Sequence, residues 1–233
     1  MAISNLNAFI ISSKGSPKLI HESKVIEDRD STFVASLYRA SSQKQAQSAI
    51  DHVRYVIHAS NKASHEMAAW RFMTLKSGKD GLGGPEDFEL RSGSADDGER
   101  YGGSKILNIM QKEGVIDAVV IVSRWFGGTM LGPIRFTHIE DCAREVCRDF
   151  KSMEEAVEAV DLLKALDEEL KSLRASFANK SGTSQESPSR MQDYETLLKS
   201  KDIAKIRRLI VAREKSVSTL RDRISSLDTP QKE

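Results

Sequence analysis

Three short stretches of this chain carry residue types that could do chemistry. Ala63-Ser64-His65-Glu66 opens a β-like run. Asp96-Asp97-Gly98-Glu99-Arg100-Tyr101-Gly102-Gly103-Ser104 gathers three carboxylates ahead of a Gly pair. Ser123-Arg124-Trp125-Phe126-Gly127-Gly128-Thr129-Met130-Leu131-Gly132-Pro133-Ile134-Arg135-Phe136-Thr137-His138 places two cations, four aromatic or imidazole rings and two Gly-containing turns in one segment.

Asp96, Asp97 and Glu99 offer oxygen ligands to a hard cation, with Gly98 permitting a tight turn, but the alternating spacing of an EF-hand loop is missing. The other reading is structural: the carboxylates cap the following helix or pair with an arginine. Gly102-Gly103-Ser104 could cradle an anion at a helix start. It fits neither the Walker A pattern nor the dinucleotide fingerprint, and a plain helix start capped by Ser104 is preferred. Arg124 and Arg135 could grip phosphate or carboxylate, and Trp125 could stack on a base or a cation. Alternatively Arg124 is buried against Asp96, Asp97 or Glu99, with Trp125 and Phe126 in the core. His65 and His138 are the remaining acid–base candidates. No nucleophile elbow surrounds Ser64 or Ser123, so no catalytic residue, metal or cofactor is assigned.

The elements that must position these stretches follow from periodicity. Leu19-Ile20 and Val25-Ile26 suggest short edge pairing. Ser31 to Arg39 alternates as a strand, with Phe33, Ala35 and Leu37 on one face. A helix runs from Gln43 to about Ser60, capped by Ser41 or Ser42, its buried stripe ending at Val53 and Ile57. His65 to Lys76 reads as a second strand. Ser77 to Tyr101, with six Gly and one Pro, reads as a long polar loop. From Asp80 to Glu99 it carries seven acids against one Arg. A helix over Gly102–Glu113 follows, and Ala118–Arg124 is expected as the central strand, covered on both faces.

Between Ile134 and Lys180 there is no Gly or Pro, so one helix is expected to run from the motif into the tail. A second helix is expected over about 190–227. The first is acidic over 153–178, the second basic over 190–227, with Lys199, Lys201, Lys205, Arg207 and Arg208 at its start. Opposed charge favours pairing of the two helices, antiparallel within one chain or between two. The chain therefore divides into a flexible lead at 1–18, an α/β domain at 19–150 and a helical hairpin or coiled-coil tail at 151–233.

Across all 233 residues, 35 Lys and Arg balance 34 Asp and Glu. That excludes a generally polycationic nucleic-acid binder. No apolar run approaches the roughly 18 residues of a membrane span, and Phe9-Ile10-Ile11 is too short for a signal-peptide core. Two cysteines, five apart in a helical pattern, suggest neither a disulfide nor a zinc site. A cytoplasmic location is the expectation.

The segments at 63–71 (ASHEMAAWR), 96–105 (DDGERYGGSK) and 119–139 (VVIVSRWFGGTMLGPIRFTHI), in this order, resemble the IMPACT family over about residues 19–150. The continuation LGPIRFTHI is similar to its eukaryotic branch. The residues that carry the resemblance are His65, Asp96, Asp97, Gly98, Glu99, Gly103, Arg124, Trp125, Phe126, Gly127, Gly128, Leu131, Gly132, Pro133, Arg135, Phe136 and His138. The resemblance implies an α+β fold like the second domain of ribosomal protein S5, a sandwich with helices on one side of a mixed sheet. It implies a non-enzymatic translational regulator that binds the ribosome-associated activator of the general amino-acid-control kinase, with the ribosome and actin as further partners. An N-terminal RWD domain, a principal contact of such regulators with the activator, is not expected ahead of residue 19, and Ser77–Arg91 looks longer than the family's usual segment. An RNA- or nucleotide-binding module and a coiled-coil adaptor that self-associates through its tail are the alternatives.

Overall fold

The computed structural model describes residues 16–181 and 193–228. Its contacts divide the chain between Lys151 and Ser152 into two compact units. Most of the lead and of the loop expected after Lys180 lies outside the described residues.

The first unit is an antiparallel sheet with helices on both faces. Its strands are β1 (Leu19–Glu22), β2 (Ile26–Asp28), β3 (Ser31–Arg39), β4 (His65–Leu75), β5 (Phe88–Ala95) and β6 (Ala118–Trp125). They pair in the order β1-β3-β6-β4-β5, with β2 also on β3. β6 is central, as its unbroken apolar run requires, and Ala118 to Arg124 are all buried. Helix α1 (Gln43–His52) packs on one face, where Ala46, Ala49, Ile50 and Val53 meet Tyr38, Ala68, Val119 and Ile121. On the other face, Arg71 donates to the carbonyls of Met110, in α2 (Gly102–Lys112), and of Val115. There too the Phe33 ring lies 5.3 Å from that of His138, in α3 (Ile134–Ser181).

The expected α+β class is borne out, with one correction of detail: among the described strands the sheet is wholly antiparallel instead of mixed, and helices cover both of its sides. β6 explains the second layer: a strand apolar on both faces would otherwise leave one face wet. Two further expectations are corrected. The polar loop expected over 77–101 contains β5, which pairs along its whole length with β4 from Ala68↔Ala95 to Leu75↔Phe88. Helix α1 stops at His52 and passes into a π-turn over Val53–Ile57. The wider turn rotates the stripe out of phase, so Ile57 is 52% exposed instead of buried.

In the second unit α3 continues to Ser181, and α4 (Tyr194–Ser200) and α5 (Ile203–Asp228) follow. The single helix expected from about 190 to 227 is broken at Lys201, which has a positive φ of 50°. Asp193 caps α4 through Thr196 N at 3.0 Å, and Asp202 caps α5 through Lys205 N at 2.9 Å. Ala156, Val160 and Leu163 of α3 close with Leu197 of α4 and Ile206 and Ile210 of α5. Tyr194 donates to Asp167 at 2.8 Å. Arg213, which interrupts the apolar seam in the sequence, is paired with the same carboxylate at 2.5 Å. Residues 207–211 lie beside 155–162, and 214–222 beside 166–169, so α5 runs in the same direction as α3, not antiparallel to it as expected, because the break at Lys201 lets α4 pack on α3 before α5 begins.

Candidate functional site

The three chemical stretches converge at one end of the sheet. In the ladder, Arg124 stands between Phe33 on β3 and His65 on β4. Period-two alternation places these three on one face and Ser123 and Glu66 on the other.

On the first face Glu99 is the hub. Its carboxylate accepts from Arg124 Nη1 and, at 2.7 Å, from Arg135 Nε. Arg124 and Glu99 side chains are only 6% and 7% exposed, whereas Arg135 is 27% exposed. Of the three acids considered for Arg124, it is Glu99 that binds it. Arg135 also donates to the Gly132 carbonyl at 2.6 Å and lies 4.2 Å over the Phe136 ring. The guanidinium of Arg124 sits between the rings of Phe33 and Phe126, at 5.5 and 5.7 Å. His138 Nε2 donates to Asp28 at 2.8 Å. Hydrogen bonds from Arg29 and His138 hold the Asp28 carboxyl down at about 2.

Asp96 and Asp97 turn away from that hub. Asp96 accepts from the backbone N–H groups of Tyr101 and Gly103, both at 3.0 Å, and so caps α2. Ser104 is exposed and makes no cap, which corrects the preferred reading of that helix start. Gly103 is required there because a Cβ would sit 2.6 Å from the Ala95 carbonyl oxygen. Asp97 accepts from Glu66 N at 2.7 Å and pairs with Arg54 at 2.8 Å, while its own carbonyl accepts from His65 Nδ1 at 2.9 Å. Gly98, at φ 86°, packs under that imidazole. The three carboxylates therefore diverge, and no group of three or more His, Cys, Asp or Glu among the described residues could hold a metal ion.

On the opposite face Glu66, 4% exposed, accepts from Arg54 at 3.1 Å and His58 at 2.9 Å. Trp125 stacks edge-on against His58 at 4.8 Å and donates its indole N–H to the Asn61 carbonyl at 3.1 Å. Arg54, His58, Asn61 and Asp28 were missed as site residues. The available signals were the charged pair His65-Glu66 opening a strand and the four-residue spacing of Arg54 and His58.

The turn after β6 is pinned from three sides. Phe126 N donates to Ser64 Oγ at 3.0 Å, and Gly127 N to Ser31 Oγ at 3.1 Å. A Cβ on Gly127 would lie 2.0 Å from the Asp30 carbonyl carbon, so nothing larger fits. Gly128 and Gly132 have positive φ of 90° and 62°. Leu131 is buried, and Pro133 lies just before α3, its carbonyl accepting from Phe136 N at 3.0 Å.

The model of the Impact N-terminal domain matches residues 29–147, just over half of the chain. The chain belongs to the IMPACT family. An IMPACT family member of Schizosaccharomyces pombe is 34% identical over 145 residues, covering 61% of this chain and 42% of that protein. The Protein IMPACT homolog of Saccharomyces cerevisiae is 38% identical over 120 residues, covering 52% and 42%. A solved structure of the two-domain translational regulator Yih1 is 35% identical, covers 53% of this chain and 44% of that one, and superposes with a TM-score of 0.33. The chain spans less than half the length of the curated IMPACT relatives it matches. The matched residues contain all three chemical stretches and every site residue described above except Asp28.

Proposed function

We propose that the first unit is a non-enzymatic protein-binding module of translational and stress control, acting in the cytoplasm. The observation that carries this reading is a division of labour within the family motif. The charged side chains at its centre, Arg124, Glu99 and Arg135, are engaged with one another. Among the side chains it turns to water, beside Thr129 and Thr137, are three large apolar ones: Phe126, Met130 and Ile134 are 45%, 79% and 41% exposed. Aromatic and Met side chains on a braced loop are typical anchors for a protein partner.

The family resemblance names the partner class: the ribosome-associated activator of the amino-acid-control kinase, with the ribosome and actin next. Affinity purification of the full chain from amino-acid-starved cells tests this. Ribosomes or the activator are expected in the eluate. Their clean absence, with unchanged initiation-factor phosphorylation in a deletion strain, contradicts the proposal. The RNA or nucleotide reading is disfavoured because Glu99 already neutralises Arg124, and Trp125 is tied to His58 and Asn61. Salt-sensitive RNA binding by the purified chain would reinstate it.

A further inference from the structure

Helix α5 buries one face, through Ile206, Ile210 and Val217. Half a turn round it, Lys205, Arg208, Ala212, Lys215 and Thr219 advance by three or four and form one straight stripe. All five are exposed. At 1.5 Å per residue the stripe is about 21 Å long. Lys201, also exposed, stands just ahead of it at the break between α4 and α5. These four cations make no ion pair among the described residues. Other exposed cations of the unit do, as Lys164 with Asp161 at 2.9 Å. The acids nearby are spent elsewhere. Asp202 accepts from Lys205 N at 2.9 Å and caps α5. Glu214 and Asp222 line the groove towards α3, and Asp222 lies beyond the stripe, one residue from Arg223.

We propose that this stripe is an electrostatic docking surface for the phosphate backbone of a duplex RNA. A row of cations with no acid among them attracts a polyanion. What lies between the cations decides which one. Only Ala212 and Thr219 do, so a protein partner finds no apolar or aromatic anchor, and lysine is depleted at protein–protein interfaces. A helix that lies on an anionic membrane needs a free apolar face beneath its cations. That face of α5 is used up inside the unit. No aromatic ring occurs anywhere on α5, so unpaired bases have nothing to stack on. A duplex remains, and duplex RNA is recognised through its phosphates and shape without reading base edges. The two small residues let the helix approach that backbone closely.

The stripe lies outside the residues 29–147 matched by the family model, so it is a second surface beside the braced loop of the first unit. The choice of RNA over DNA rests on the cytoplasmic reading above. A binding assay on purified chain needs no partner protein, so it succeeds or fails independently of that reading. Four neutralised phosphates release their counterions, which sets the slope of log K against log salt at about −3.6. Affinity then falls about a hundredfold between 50 and 200 mM salt. A Kd of roughly 1 µM at the lower concentration and roughly 100 µM at the higher is the expected range for contact with phosphates alone.

Fluorescence anisotropy of a labelled RNA duplex of about 20 base pairs, titrated with the full chain across that salt range, tests the proposal. The combined variant Lys205→Gln, Arg208→Gln, Lys215→Gln should weaken binding at least about tenfold at 50 mM salt and cut the slope to about −0.9. A control with Lys44→Gln, Lys112→Gln and Lys171→Gln removes the same charge from exposed positions elsewhere and should stay within about threefold of the parent. All six positions are exposed, so circular dichroism should show unchanged helicity in both variants. No binding at 50 mM salt overturns the proposal, as does an equal loss in the control. Binding that survives the stripe substitutions lies on the first unit, which reinstates the reading set aside above and overturns this one. Tighter binding of polyglutamate, or of a single strand of the same length, also overturns it.

Discussion

Replacing Glu99 with Ala removes the acceptor shared by Arg124 and Arg135. The two arginines respond differently. Arg135 is 27% exposed and keeps the Gly132 carbonyl, so it can turn to water. Arg124 is 6% exposed, and its Nε already lacks a partner. Leaving such a cation buried and uncompensated costs about 3–5 kcal/mol. At about 2–4 °C of melting temperature per kcal/mol for a chain of this size, the shift is roughly 6–20 °C. Urea denaturation followed by tryptophan fluorescence reads the effect cleanly, because both tryptophans, Trp70 and Trp125, lie in the first unit. The paired variant Glu99→Leu with Arg124→Met removes both charges and should recover to within about 1–2 kcal/mol of the parent, since apolar replacement of a buried pair is often neutral. A Glu99→Ala protein whose midpoint is unmoved would refute the view that the pair is a brace.

The same reasoning extends to neighbouring positions. Gly127→Ala forces backbone apart at Asp30 and should destabilise by at least about 2 kcal/mol, measured by the same denaturation. Asp96→Ala uncaps α2 and should cost about 1 kcal/mol, with lost amide-exchange protection confined to Tyr101 and Gly103. The Asp28 carboxyl is held at about 2, below its ordinary 3.8, so its contribution is complete above about pH 4 and fades as pH falls toward 2. Asp28→Asn should flatten that acid limb in a stability–pH series and leave stability at neutral pH less dependent on His138.

Much of this architecture is legible in the sequence, for reasons that differ by element. β6 announces itself because a strand covered twice must be apolar without interruption, and β3 because a buried face beside a polar one alternates. β5 is silent. It is an edge strand whose residues are mostly exposed, and its Arg91-Ser92-Gly93-Ser94 centre has nothing to bury. Residue types alone left Arg124 open between ligand and brace. Its tie to Glu99 depends on how the turn before α2 folds back, a contact 25 residues away that no local spacing encodes. The tail's break at Lys201–Asp202 was written as a cap signal, Asp202 three residues before Lys205, inside a stretch whose apolar rhythm continues across it.

The central claim is that the motif's charges brace a loop whose apolar side chains bind a protein. The most direct test is quantitative recovery of partners from starved cells on the parent chain and on a Phe126→Ser, Met130→Ser variant. Met130 faces water and Phe126 is half-exposed beside the Arg124 guanidinium, so the variant should lose no more than about 1–2 kcal/mol of stability and stay folded. The account predicts that its ribosome and activator recovery falls at least tenfold. Full recovery on that variant, with the fold intact, would contradict it.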